Sequence, residues 1–425
     1  MVAVADLLSD SNLRLSLDID VYPESPVFRT VLFWIHLAAG LFAGLIILIM
    51  SVTGVALTYE RQLVRWTTSH LRSTPPSPGA LPMDTAVLLR EVASRYPSLT
   101  VTGLTRRSGP DGAVVVQTSG APLYVDAYTG TELGSPRGAA MREALATLRT
   151  WHRWLATEGE QRALGKAITG WSNVAFLVLV VTGVVLWLPR VLGWAPLRQV
   201  LFFKRRYGTA KARDFAWHHV VGIWTAVPLL VIVLGALPMS FPWANDLLYT
   251  LAGEEPPRRP AAGPSAESRR PAGNADARTA LVQPSFEGLD LALARAAAEQ
   301  PDWRELSVRF PARDGQPLAV SIDRGNGGQP HLRSTVTVNR TGDVTAREAF
   351  ADQSVGRQWR SGLRFAHTGE LFGLGGQSVA GAASLGATVM VWTGLALAVR
   401  RLRAWLSRRT SVSTVTSTSA VAESA

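Results

Sequence analysis

The sequence predicts an integral membrane, α-helical protein with four transmembrane helices in two pseudo-repeats, each repeat carrying a small extracytoplasmic α+β domain. Three observations predict it. Residues 31–58, 168–188, 220–241 and 379–399 are apolar and hold no Lys, Arg, Asp or Glu; about 20 such residues cross a hydrocarbon core of about 30 Å. Arg190, Arg198, Lys204, Arg205, Arg206, Lys211 and Arg213 crowd one short loop, and Arg400, Arg401, Arg403, Arg408 and Arg409 follow the last stretch. Basic loops stay in the cytoplasm, so both termini are expected inside and both long polar stretches outside. The third observation is that the two halves repeat the same short motifs.

The expected order is a cytoplasmic N-terminal segment (1–27), a first membrane helix (28–60) and a first extracytoplasmic domain (61–147). An interfacial segment with the second helix (148–188), a basic cytoplasmic loop (189–216) and the third helix (217–241) come next. A second extracytoplasmic domain (242–362) carries a Pro/Ala/Gly/Arg-rich insert at 253–279 that reads as disordered. An interfacial segment with the fourth helix (363–400) and a cytoplasmic tail (401–425), read as disordered from residue 410, complete the chain. Pro228, Pro238 and the glycines from Gly369 to Gly376 predict kinks or a broken helix. Trp34, Trp187, Trp194, Trp217 and Trp243 fall at helix ends as an interfacial belt would have them, whereas Trp392 lies deeper and is expected to pack against a ring.

The first helix ends Val52-Thr53-Gly54, the second Val181-Thr182-Gly183 and the fourth Trp392-Thr393-Gly394, while the third lacks that ending. Leu148-Arg149-x-x-His152 precedes the second helix and Leu363-Arg364-x-x-His367 the fourth. His36-x-x-x-Gly40 opens the first helix and His218-x-x-x-Gly222 the third, with His219 competing for the same role. Matching motifs at matching places support duplication. In the first polar stretch 83–96 has helical periodicity, 113–118 and 123–126 alternate as strands, and Thr129-Gly130 forms a turn. In the second, 289–299 reads as helix, 318–322 and 335–339 as strands, and Thr341-Gly342-Asp343 as the turn.

The net charge of +11 over 425 residues could suggest nucleic acid, but the basic residues sit in membrane-flanking loops, so no nucleic-acid partner is expected; the lipid bilayer is. Residues 1–26 are acidic and show no cleavable signal pattern. The absence of cysteine excludes disulfides, thiolate-ligated iron–sulfur clusters and thioether-linked haem. No phosphate loop, zinc signature, nucleophile triad or dinucleotide fingerprint is present.

The phrases Tyr124-Val125-Asp126-Ala127-Tyr128-Thr129-Gly130 and Val338-Asn339-Arg340-Thr341-Gly342-Asp343 resemble the closing strand and turn of PepSY domains. With the His-x-x-x-Gly helix starts, residues 28–403 resemble the PepSY-associated transmembrane family of bacterial iron-regulated membrane proteins. That family includes inner-membrane ferric-siderophore reductases with b-type haem. The resemblance implies periplasmic PepSY-like domains, a bacterial inner-membrane location, two haems b, a ferric siderophore as acceptor and a cytoplasmic or quinone-pool electron donor. The second phrase departs from the first in having Asn339 where the first has Asp126.

Of seven histidines, His70 and His331 have no repeat partner and read as surface residues. His36 and His218 fall near the cytoplasmic face and His152 and His367 near the outer face. Two like pairs at opposite surfaces suit two bis-histidine haems, with these four as axial ligands. His219 is an alternative to His218 or its neighbouring support. Arg149, Arg153 and Arg364 could pair with propionates, a planar fork meeting a carboxylate. The bland reading is interfacial histidines bonded to headgroups or helix ends, beside snorkelling arginines. Two other functions compete: a binding or regulatory membrane protein, and a siderophore transporter.

Overall fold

The computed structural model describes residues 26–188, 194–258, 283–311 and 315–422. The N-terminal segment up to residue 25, Arg190 of the basic loop, and residues 259–282, which include most of the 253–279 insert, lie outside them. The described residues fall into two compact units. One is drawn from Met1–Ala56, Arg149–Leu234 and Val379–Ala425, the other from Leu57–Leu148 and Gly235–Ser378.

The first unit is a helix bundle. Among the described residues, four helices are long and apolar enough to cross a membrane: α1 (Pro26–Leu57), α5 (Arg162–Trp187), α7 (Ala210–Ser240) and α11 (Gly373–Ala422). All are longer than the uncharged runs, taking in flanking charged residues such as Arg29, Arg162, Lys166, Arg213 and Asp214. α7 therefore begins two turns before His218, and α1 ten residues before His36. These histidines lie inside the spans and not at their starts. Pro228 leaves α7 one uninterrupted helix. Residues 410–422, expected to be disordered, continue α11 as helix; neither Gly nor Pro occurs after Gly394 to stop it.

Small residues bring the helices together. Ala383 and Ala387 of α11 are buried against Val180 of α5 and Leu229 of α7. A Cβ on Gly44 would stand 3.6 Å from Leu395, and Asn173 donates Nδ2–H to the Val233 carbonyl across α5 and α7 (3.0 Å). Close approach through small residues and interhelical hydrogen bonds is how helices associate when lipid removes the usual hydrophobic drive. Outward faces are apolar: Phe42 is 83 % exposed and Val227 72 %. Trp392 is 69 % exposed on the bundle.

The second unit is α+β. Its helices are α2 (Glu60–Thr67), α3 (Thr85–Arg95), α8 (Pro242–Leu251), α9 (Leu289–Glu299) and α10 (Val355–His367), while α4 (Ala139–Trp154) runs across the boundary between units and α6 (Trp194–Leu201) belongs to the basic loop. The strands are β1 (Val101–Arg107), β2 (Val114–Thr118), β3 (Leu123–Val125), β4 (Glu305–Arg309), β5 (Leu318–Asp323), β6 (Arg333–Val338) and β7 (Val344–Ala349). They form one antiparallel sheet in the order β3-β2-β1-β4-β5-β6-β7. Two separate modules were expected, but β1 and β4, both unforeseen, pair from Gly103↔Arg309 to Arg107↔Glu305 and join them. Gly103 is needed there, since a Cβ would stand 2.6 Å from the Val308 carbonyl oxygen.

One core underlies this sheet. Leu88 and Leu89 of α3 and Leu289 and Leu293 of α9 pack on Leu104, Val116, Leu306, Leu318 and Ile322. Asp290 of α9 accepts the N–H groups of Thr85 (2.6 Å) and Ala86 (3.0 Å), satisfying donors at the start of α3. Both PepSY-like phrases close turns by the same device. Buried Asp126 accepts from the backbone of Thr74, Tyr128 and Thr129. Asn339 accepts from Thr341 and Asp343, so the neutral side chain serves the second turn as the acid serves the first. The first residues of the insert are likewise held: Glu254, expected in a disordered stretch, accepts from Ser354 (2.6 Å) at the start of α10.

The break expected before the fourth helix is present. α10 ends at His367, Gly369 and Gly373 take positive φ, and α11 starts anew. A side chain on Gly369 would collide with the backbone of Gly376.

Candidate histidine sites

Each Thr-Gly helix ending holds one of the predicted histidines. In the first unit, Thr182 Oγ1 lies 2.9 Å from His36 Nδ1, Thr53 Oγ1 3.0 Å from His152 Nδ1, and Thr393 Oγ1 3.1 Å from His218 Nδ1. Each threonine spends its proton on its own helix, donating to Val178 (2.6 Å), Ile49 (2.7 Å) and Val389 (2.8 Å) respectively. Toward the imidazole it can only accept. The proton therefore sits on Nδ1 and the lone pair on Nε2. For His218 the Met390 carbonyl, 3.1 Å from Nδ1, enforces the same tautomer.

The glycine of each pair makes room. A Cβ would stand 3.3 Å from His36 Cε1 at Gly183, 3.5 Å from His152 Cε1 at Gly54, and 3.3 Å from His218 Cε1 at Gly394. The third helix carries Leu234-Gly235 in the same frame, with the glycine matched and leucine in place of threonine. In the second unit a Cβ on Gly235 would stand 3.0 Å from His367 Cβ and 2.6 Å from the Leu363 carbonyl oxygen. Three helix-ending glycines thus leave room for a histidine ring, and Gly235 leaves room for the backbone of α10 at His367. By contrast, Gly40 and Gly222, one turn after their histidines, face the side chains of Leu179 (3.7 Å) and Met390 (3.3 Å).

Residues 33–401 match the family model described as PepSY-associated TM region. The chain belongs to the PepSY-associated transmembrane family. It is a multi-pass membrane protein of that family, and the comparison with curated proteins gives no match.

Within the PepSY-associated bundle, His36 and His218 face one another, with ring centroids 6.3 Å apart and planes at 83°. His219 is 6.4 Å from His218, but its Nδ1 donates to Phe215 of its own helix (2.9 Å) and its ring lies 4.0 Å from Phe215. His218 alone of the two is received by a Thr-Gly pair, which distinguishes it from its neighbour. Asp214, one turn earlier, is buried and bonded by Arg213 (3.0 Å) and Arg400 (2.5 Å), fixing α7 to α11. Among the described residues no group of three or more His, Cys, Asp or Glu could hold a bare metal ion.

The predicted arginines have separate surroundings. Arg149 is exposed, Arg153 stacks 4.4 Å over Trp154, and Arg364 lies 5.4 Å from the Phe365 ring. His152 and His367 belong to different units, and each is defined by its own partners.

Proposed function

We propose that the protein is a haem b oxidoreductase of the bacterial inner membrane that passes electrons from the cytoplasmic side to a periplasmic ferric siderophore and releases Fe(II). The observation that carries this reading is the His36–His218 pair. Their ring centroids lie 6.3 Å apart, and these two imidazoles would hold the iron of a haem between them. Both rings have Nδ1 engaged, the support that orients metal-binding histidines and raises their basicity. These residues fit the group. His152, held by Thr53 in the same way, is a candidate ligand for a second haem, and His367, which follows Leu363-Arg364 as His152 follows Leu148-Arg149, is a further candidate in its own unit.

A haem held by His36 and His218 would supply one-electron transfer there. The chain contributes the rest. Thr182 and Thr393 hold Nε2 lone pairs in place. The apolar helices exclude water, and the basic segments Arg198 to Arg213 and Arg400 to Arg403 favour a cytoplasmic placement. The donor is a cytoplasmic carrier or a quinol. One electron converts Fe(III) to Fe(II), which hard oxygen ligands hold less tightly. Reduction of the purified protein followed by mixing with a ferric siderophore tests the reading. Haem reoxidation with Fe(II) captured by ferrozine supports it, and a reduced protein indifferent to the siderophore contradicts it.

A further inference from the structure

In the second unit, guanidiniums from three elements surround the buried ring of Phe365, two residues before His367. The Cζ atoms of Arg61, Arg333 and Arg364 lie 5.9, 5.8 and 5.4 Å from its centroid. Arg61 and Arg333 also converge on Gly327, where a Cβ would stand 2.6 Å from Arg61 Nη1 and 3.5 Å from Arg333 Nη2. Arg65, one turn after Arg61 on α2, donates Nη2–H to the Asn326 carbonyl of the same loop (2.5 Å).

Two carboxylates answer this cluster directly: Glu370 bonds Arg61, and Asp323 bonds Arg333 (2.9 Å). Nearby Arg107 is offset by Glu305 (3.9 Å). Positive charge is left in excess, and burial together with Arg107 and Arg61 holds the Arg65 guanidinium below its usual pKa, although Glu305 and Asp323 oppose this. The side chains of Arg61 and Arg333 are 39 % and 40 % exposed, so water and solutes reach them. Like charges drawn from distant parts of the chain oppose folding. Planar guanidinium forks match paired anionic oxygens.

We propose that Arg61, Arg65, Arg333 and Arg364 dock an anionic iron(III) chelate of the catecholate class, in preference to an uncharged hydroxamate chelate. The iron in this proposal rests on the function above; the charge preference does not. Each catecholate brings two negative charges to Fe(III), so its complex remains anionic, whereas three hydroxamates only neutralise the metal.

Gallium(III) chelates carry the same charge and resist reduction, so binding is read without electron transfer. The full chain in lipid nanodiscs is titrated calorimetrically with gallium tris-catecholate and gallium tris-hydroxamate chelates. The catecholate chelate is expected to bind at least about tenfold tighter at low salt and to weaken as salt rises. Arg65→Gln is expected to weaken it about tenfold, and Arg65→Glu further, with haem content unchanged. Equal affinity for the two chelates, no binding of either, or salt-independent binding overturns the proposal, and these wild-type arms stand even if a variant fails to fold. A folded Arg65→Gln protein that keeps its chelate affinity also overturns it, and haem loss in that variant would assign the arginines to propionates. A colourless protein that still binds the catecholate chelate would defeat the haem reading alone.

Discussion

Thr182 and Gly183 show how much one residue pair does in this bundle. The hydroxyl accepts the His36 Nδ1 proton and the missing side chain leaves space for the ring. Thr182→Val removes the acceptor while keeping the shape. The expected outcome is a loss of about 10- to 100-fold in haem affinity at that site, with Thr182→Ser restoring it, read by haem transfer to apomyoglobin. Asp126 gives a pH test. Burial alone would raise its carboxyl, but the N–H groups of Thr74, Tyr128 and Thr129 and the Thr129 hydroxyl outweigh that and lower it. Its stabilisation is therefore complete above the ordinary aspartate value of about 3.9 and is lost as pH falls through the lower folded value. Asp126→Asn, which turns an N–H toward the Thr74 donor, is expected to cost about 1–3 kcal/mol at neutral pH. In thermal unfolding, the gap from wild type should narrow below about pH 3.9. The histidines were legible from the sequence because they recur at matched offsets. The role of Thr-Gly as their receiver was not, because a helix ending says nothing of which neighbour packs on it.

At the scale of elements, the membrane helices were legible because a lack of charge over about 20 residues has one common explanation. Their ends were not, because Arg213, Asp214 and Arg400 neutralise one another inside helix and so do not mark its limits. β2, β3, β5 and β6 were read as strands; β1 was not, since Gly103, Arg106 and Arg107 interrupt it, and β4 was missed although Glu305-Leu306-Ser307-Val308-Arg309 alternates polar and apolar residues. Yet those two strands join the halves. Gly103→Val would drive a side chain into the Val308 carbonyl, and a loss of about 1–3 kcal/mol is expected. A lowered unfolding temperature with new protease cleavage between β1 and β4 would confirm it; an unchanged temperature would mean that the pairing contributes little.

For the whole molecule, the central claim is that a PepSY-associated membrane bundle uses four histidines to hold two haems. The four-helix organisation was read from composition, the family from two short turns with the His-x-x-x-Gly helix starts, and the preference for His218 over His219 from its spacing to Gly222, whereas the tautomers required three-dimensional neighbours. The most direct test is a pyridine haemochrome count with redox difference spectra on the wild type and on His36→Ala, His218→Ala, His152→Ala and His367→Ala. The account predicts about two haems b per chain in the wild type. His36→Ala and His218→Ala should each remove the same haem, His152→Ala and His367→Ala should each lower the count while leaving that haem in place, and His219→Ala should retain both. A wild-type protein without haem from haem-replete cells, or single substitutions that leave both haems in place, would contradict it.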